Sequence, residues 1–209
     1  MTIPERLPEE FLRQVYDLED AYLNSDDPIR QSGFGGGAKR WNAERSPILQ
    51  AVDNDGTLLD VGCANGYLLE SLVSWAQQES GIRLTPYGVD INAGLIVEAM
   101  RRWPAVPHHF WVANAWDFQP PLKFDFVYSL ADCVPAQFLA AFVARLLDRT
   151  VKPGGRLIMG SYGSASRREL PVDLAELLDG YGFRVAGSMH GGRIPRSKAP
   201  VARFAWIAN

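Results

Sequence analysis

From residue 57 to residue 208 short apolar runs alternate with amphipathic stretches of helical length, and this alternation constrains the fold more than any other feature. TLLDV (57–61), LTPYGVDI (84–91), HHFWVA (108–113), FDFVYSL (124–130), GRLIMGSY (155–162), GFRVAGSM (182–189) and VARFAWIA (201–208) read as strands. Between them YLLESLVSWAQQ (67–78), AGLIVEAMRRW (93–103), QFLAAFVARLLDRT (137–150) and LPVDLAELLDGY (170–181) space their apolar residues as helices do. Such a pattern implies an α/β fold: a doubly wound, mostly parallel, seven-stranded sheet covered on both faces. The link 190–200 is too short for a helical crossover, which predicts an antiparallel last strand. Residues 114–123 join the third and fourth strands without an evident helix. Extended over roughly 33 Å, that link can cross several strand spacings of about 4.8 Å.

Upstream, PEEFLRQVYDLEDAYL (8–23) puts Phe11, Val15, Leu18 and Tyr22 at helical spacing behind Pro8. A polar, glycine-rich loop is expected over 24–40, then a short helix over 41–52 with Pro47 in its first turns. The 209 residues carry no internal repeat or linker and make one domain, with N-terminal helices and a lid in 1–52 and a core in 53–209.

Composition narrows the partners. A net charge of −3 argues against a broad electrostatic grip on nucleic acid. No run of 18 apolar residues suggests a membrane span, and MTIPERLPEEFL lacks the basic-then-apolar order of a signal peptide, so a cytoplasmic chain is expected. The two cysteines, Cys63 and Cys133, show neither metal-ligand spacing nor a disulfide framework, and no metal is expected.

Two glycine-bearing stretches compete to hold a ligand. SGFGGGAKRW (32–41) follows no strand and lacks the Gly-Lys-Ser/Thr ending of a phosphate loop. LLDVGCANGYLLESL (58–72) has the required strand, tight turn and helix. Its Gly62-x-Ala64-x-Gly66 spacing departs from the dinucleotide fingerprint, and Asp60 beside the turn suits a cationic ligand better than a pyrophosphate. Asp90, ending the second strand, is placed to accept from both hydroxyls of a ribose.

DVGCANG resembles motif I of the class I S-adenosylmethionine-dependent methyltransferases, with Ala64 in place of the middle glycine. YGVDI, ANAWDF, FDFVYSL and KPGGRLIMGSY resemble four further motifs of that family, in order, and the resemblance covers about 40–208. It implies a Rossmann-like fold, S-adenosyl-L-methionine as cofactor, and methyl transfer to a small-molecule acceptor. Carried over position by position, Asp60 and the Ser129 carbonyl would hold the methionine ammonium. Gly62, Cys63, Ala64 and Gly66 would bring the backbone to the cofactor. Asp90 would take the ribose, Ile91 one adenine face, Asn114 the adenine amino group, Ala115 the ring through its N–H, and Trp116 would close over it. Arg45 resembles an arginine that pairs with the methionine carboxylate in some relatives, with Arg40 its rival. The resemblance also makes 33–41 a hinged lid.

For the chemistry itself, Asp132 after the fourth strand is the candidate base or amine anchor, with helix capping near Pro135 as the competing role. Tyr162 lines the pocket or packs; His108 and His109 are structural or solvent-exposed; Cys133 carries no mark of a nucleophile. His190, Arg193, Arg196 and Lys198 form a basic loop, either solvated or in contact with an anionic substrate or RNA. Two other readings stand beside the leading one: an RNA methyltransferase and a catalytically silent S-adenosylmethionine-binding protein. Oligomeric state is not legible.

Overall fold

The computed structural model describes residues 4–164, 169–193 and 199–209. Seven strands form one sheet in the order β3-β2-β1-β4-β5-β7-β6: β1 (Gly56–Val61), β2 (Leu84–Asp90), β3 (Phe110–Val112), β4 (Phe124–Leu130), β5 (Val151–Tyr162), β6 (Val185–Gly191) and β7 (Ala202–Ala208). β1 to β5 pair in parallel, and β7 inserts antiparallel to both β5 and β6, as the short last link requires. The order reverses between β1 and β4, so the crevice beyond their C-terminal ends is where an open α/β sheet receives ligands.

Side chains alternate between two cores. Leu59, Val127 and Leu157 face one, which α6 (Leu139–Thr150) and α7 (Leu174–Gly180) cover through Phe142, Val143 and Leu178. Leu58, Phe126 and Ile158 face the other, covered by α4 (Tyr67–Ser80) and α5 (Ala93–Arg102) through Leu69, Leu72 and Ile96. No helix among the described residues is long and apolar enough to cross a membrane.

The N-terminal region departs most from expectation. After α1 (Glu9–Leu23), the stretch expected to be loop holds α2 (Pro28–Gln31) and the start of α3 (Ala38–Arg45). The helix expected over 41–52 breaks at Arg45 into a 3₁₀ segment, Ser46–Ala51, because Pro47 brings no N–H and the tighter turn needs none there. Trp41 anchors α3: it is buried, and its Nε1 donates to Ser71 Oγ of α4 at 2.9 Å. Burial of a side chain this large contributes about 3 kcal/mol. Elsewhere the shifts are at element ends. β3 starts after a 3₁₀ turn at Pro107–His109, and α7 waits for its Asp173 cap, whose carboxylate accepts from the Glu176 N–H.

Candidate functional site

The turn after β1 is held from the neighbouring strand. The N–H groups of Gly62 and Cys63 both donate to the Val89 carbonyl, at 2.8 and 3.1 Å. Gly62 (φ 88°) and Gly66 (φ 71°) take left-handed conformations, and so does Ala64 (φ 45°), the one described non-glycine residue that does. Asp90 locks the arrangement: its carboxylate accepts from the Ala64 N–H at 2.8 Å and the Asn92 N–H at 2.9 Å.

Above this turn lies a cavity of about 230 Å³. It brings together seven of the residues singled out from the sequence: Gly62, Ala64, Asp90, Ile91, Asn114, Ala115 and Asp132. Its roof is α1, through Phe11, Leu12, Val15, Leu18 and Tyr22, and not the glycine-rich segment expected to be the lid. Of residues 32–41 only Ser32 reaches the cavity. Gly33 serves this roof indirectly, since a Cβ there would stand 2.5 Å from the Tyr22 hydroxyl oxygen.

Among the described residues no lysine, arginine or histidine lines the cavity. Its two acids, Asp90 and Asp132, therefore have no cationic side chain beside them in the wall. Burial holds the Asp90 carboxyl above its ordinary value despite its backbone donors, and Glu19 adds to the rise. Asp60, buried at the end of β1, is pushed up to about 8 by burial and then by Asp90. Burial likewise raises Asp132, and Tyr22 is raised by burial, Asp132 and Asp90. A bound cation would lower all of these.

Six predicted residues lie outside the cavity wall. Cys63 turns its thiol into the space left by Gly88, where a Cβ would come within 2.6 Å of the sulfur. Gly66 packs against Ala99 of α5 instead. Ser129 is fully buried and donates its hydroxyl to the Val61 carbonyl at 3.2 Å. Trp116 does not close over the site. Asn114 Oδ1 accepts from the Trp116 N–H at 2.9 Å, and the turn sends the indole into the core, beside Phe138 and under the Arg145 guanidinium. Asp60 sits deeper than the wall residues, and Arg45 occupies a chamber of its own.

The two arginines sit in different surroundings. Arg40 is largely exposed and committed to Glu44, 2.8 Å away. Arg45 is buried, its guanidinium 4.1 Å from the centres of the Phe34 and Trp41 rings and 4.5 Å from that of Tyr162. Its Nη1 has no hydrogen-bond partner and only a long ion-pair contact, 3.8 Å to Glu44 Oε2, so a buried donor remains that an anionic group could take. Tyr162, one wall of the chamber, has its hydroxyl 3.2 Å from that of Tyr128.

Asp132 lies in a 3₁₀ turn after β4 and caps neither following helical segment. Cys133 beside it is a thiol with its pKa pushed up to about 12 by burial and Asp132, which favours the neutral thiol at neutral pH. His109 hydrogen-bonds the Pro86 carbonyl at 3.0 Å and stacks on Tyr87, at the opposite end of the strands. His190 lies on β6 beside a groove that shares no residue with the cavity. Arg193 follows β6, while Arg196 and Lys198 lie outside the described residues.

One contributor escaped sequence reasoning. Asn65, fully buried inside the turn, donates its amide to the Pro28 carbonyl and to Gln31 Oε1, both at 3.0 Å, and so ties α2 to the cavity floor. The available signal was an asparagine placed between two turn residues of motif I.

No protein-family model and no curated protein matches this sequence. Solved structures do. The N-methyltransferase NodS of Bradyrhizobium japonicum, in complex with S-adenosyl-L-homocysteine, matches with a TM-score of 0.68 at 16% identity, over 93% of this chain and 98% of that one. Magnesium protoporphyrin IX methyltransferase of Synechocystis, with bound cofactor, matches at 0.61 and 18% identity over 99% of each chain. The 1,6-didemethyltoxoflavin-N1-methyltransferase of Burkholderia thailandensis matches at 0.59 and 18% identity, over all of this chain and 92% of that one. Likeness at this level of identity concerns the fold.

Proposed function

We infer that this chain, built on the fold of the class I S-adenosylmethionine-dependent methyltransferases, is itself such an enzyme and methylates a small molecule. The observation that carries the reading is the cavity at the sheet's switch point: its floor is the Gly62–Ala64 turn, Asp90 stands at its edge, and no cationic side chain lines it among the described residues. A sulfonium cofactor supplies positive charge and an activated methyl group to such a site.

The chain's residues then divide the work of binding. Asp90 takes the ribose hydroxyls while keeping its hold on the turn. Ile91 covers an adenine face. Asn114 Oδ1, with one lone pair left beyond its bond to Trp116, accepts from the adenine amino group, and the Ala115 N–H meets the ring. Asp60 and the Ser129 carbonyl serve the ammonium, and Arg45 Nη1, which makes no hydrogen bond within the protein, serves the carboxylate. Methyl transfer by in-line displacement asks the protein mainly to align acceptor and donor and to exclude water. The apolar face of α1 performs that exclusion from above.

Calorimetry tests the reading: the protein should bind S-adenosylhomocysteine and not NAD. Tight binding of NAD with none of S-adenosylhomocysteine would overturn it. Binding without turnover of any acceptor would favour the silent binding protein.

A further inference from the structure

The cavity offers more hydrogen-bond acceptors than the cofactor needs. Asp90 and Asn114 answer the ribose and the adenine amino group, which leaves Asp132, the Tyr22 hydroxyl and Asn92 Oδ1. Asn92 is nearly fully buried and lines the cavity; its amide nitrogen reaches the Val15 carbonyl at 3.3 Å, while its oxygen has no donor. Asp132 forms no ion pair with any described residue. A second ligand in this cavity must therefore bring donors and positive charge of its own.

The surroundings set its shape. Val15, Leu18 and Tyr22 follow one another along one face of α1, and Leu130 and Cys133 flank Asp132 from below. Tyr22, Asp132 and Asp90 line the same cavity, and both carboxylates raise the Tyr22 hydroxyl. An anionic acceptor would meet two carboxylates and no cationic side chain in the wall, with the cofactor's sulfonium as the one positive charge offered to it. A hydroxyl acceptor would bring one donor and no charge.

We propose that the acceptor is a primary or secondary amine with a compact apolar body, held between Tyr22 and Asp132, whose carboxylate anchors the ammonium and receives its proton. This rests on the methyltransferase reading above. The step balances simply. The ammonium loses a proton to the Asp132 carboxylate, and the freed nitrogen lone pair forms the N–C bond as the C–S bond breaks. Sulfur keeps that electron pair and becomes a neutral thioether, and the product is the methylated ammonium. Asp132, whose carboxyl is partly desolvated by the cavity wall but whose side chain keeps access to solvent at the mouth, returns its proton to water.

The test begins by measuring S-adenosylhomocysteine binding by calorimetry. The loaded protein is then titrated with n-butylamine, benzylamine and phenethylamine, each beside the alcohol and the carboxylate of matching shape. The same compounds are offered with S-adenosylmethionine and thioether release is followed. Amines should bind and be methylated, and their alcohol and carboxylate counterparts should not. Asp132→Asn should keep its S-adenosylhomocysteine affinity and lose at least tenfold in amine affinity; Tyr22→Phe should lose less. If S-adenosylhomocysteine binds but no amine does, or if the alcohols or carboxylates are the compounds methylated, the amine assignment falls and the methyltransferase reading stands. Amine affinity unchanged in Asp132→Asn removes Asp132 from the role. Failure to bind S-adenosylhomocysteine removes the reading on which both rest.

Discussion

Residues 33–37 and 62–66 are both glycine-bearing turns with left-handed backbone at their ends, at Gly33 and Gly37 in one and Gly62 and Gly66 in the other. Their surroundings differ. In the first, a Cβ added at Gly35 or Gly37 would meet nothing within 4 Å, and the segment simply feeds α3. In the second, consecutive N–H groups are spent on Val89 and Asp90 of the neighbouring strand, and Asn65 is buried beneath. Left-handed glycines thus mark a turn, whereas a parallel strand alongside makes the turn the floor of a cavity.

The comparison breaks most visibly at Asp90. Asp90→Ala should weaken S-adenosylhomocysteine binding by roughly 2–4 kcal/mol, since a charged acceptor for ligand and turn is lost together. Circular dichroism should show the fold retained, and an unchanged dissociation constant would take Asp90 out of the site.

Charge separates the two segments next. With its carboxyl at about 8, Asp60 keeps a proton in the folded chain that the unfolded chain releases near its ordinary 3.8. The folded state binds more protons across that window, so the ligand-free protein should lose stability as pH rises from about 4 to about 8. Thermal melts should fall by several degrees over this range, and Asp60→Asn should flatten the slope. A melting temperature rising with pH would place the charge elsewhere.

Glycine replacements sharpen the contrast further. At Gly66 a Cβ would face Ala99 Cβ at 3.2 Å and φ is +71°, so Gly66→Ala should cost about 2 kcal/mol in urea denaturation. Gly35→Ala, with open space and no left-handed φ, should stay within about 0.5 kcal/mol. Equal losses would erase the distinction. One replacement should be a gain: Ala64→Gly relieves a non-glycine residue at φ 45° and should stabilise by about 0.5–1 kcal/mol.

The sequence by itself determined the strands, the helices between them and the turn after β1, because those signals are local. TLLDV and FDFVYSL are apolar runs that need cover on both faces, and the two left-handed glycines follow the first of them directly. Pro47 also announced trouble for a helix over 41–52, although whether it would end there or tighten into a 3₁₀ turn depended on packing. Tertiary structure decided which side chains meet. Trp116 points into the core because Asn114 bends the chain beneath it, and Arg45 rather than Arg40 keeps a buried donor without a hydrogen bond because three rings enclose it. The roof fell to α1 instead of the glycine segment because Phe11, Leu12, Val15 and Leu18 needed an apolar surface, and the crevice beyond β1 and β2 offered one. Those outcomes turn on contacts between residues far apart in the chain, such as Asn65 with Pro28 and Asn92 with Val15. No periodicity read along the sequence carries that information.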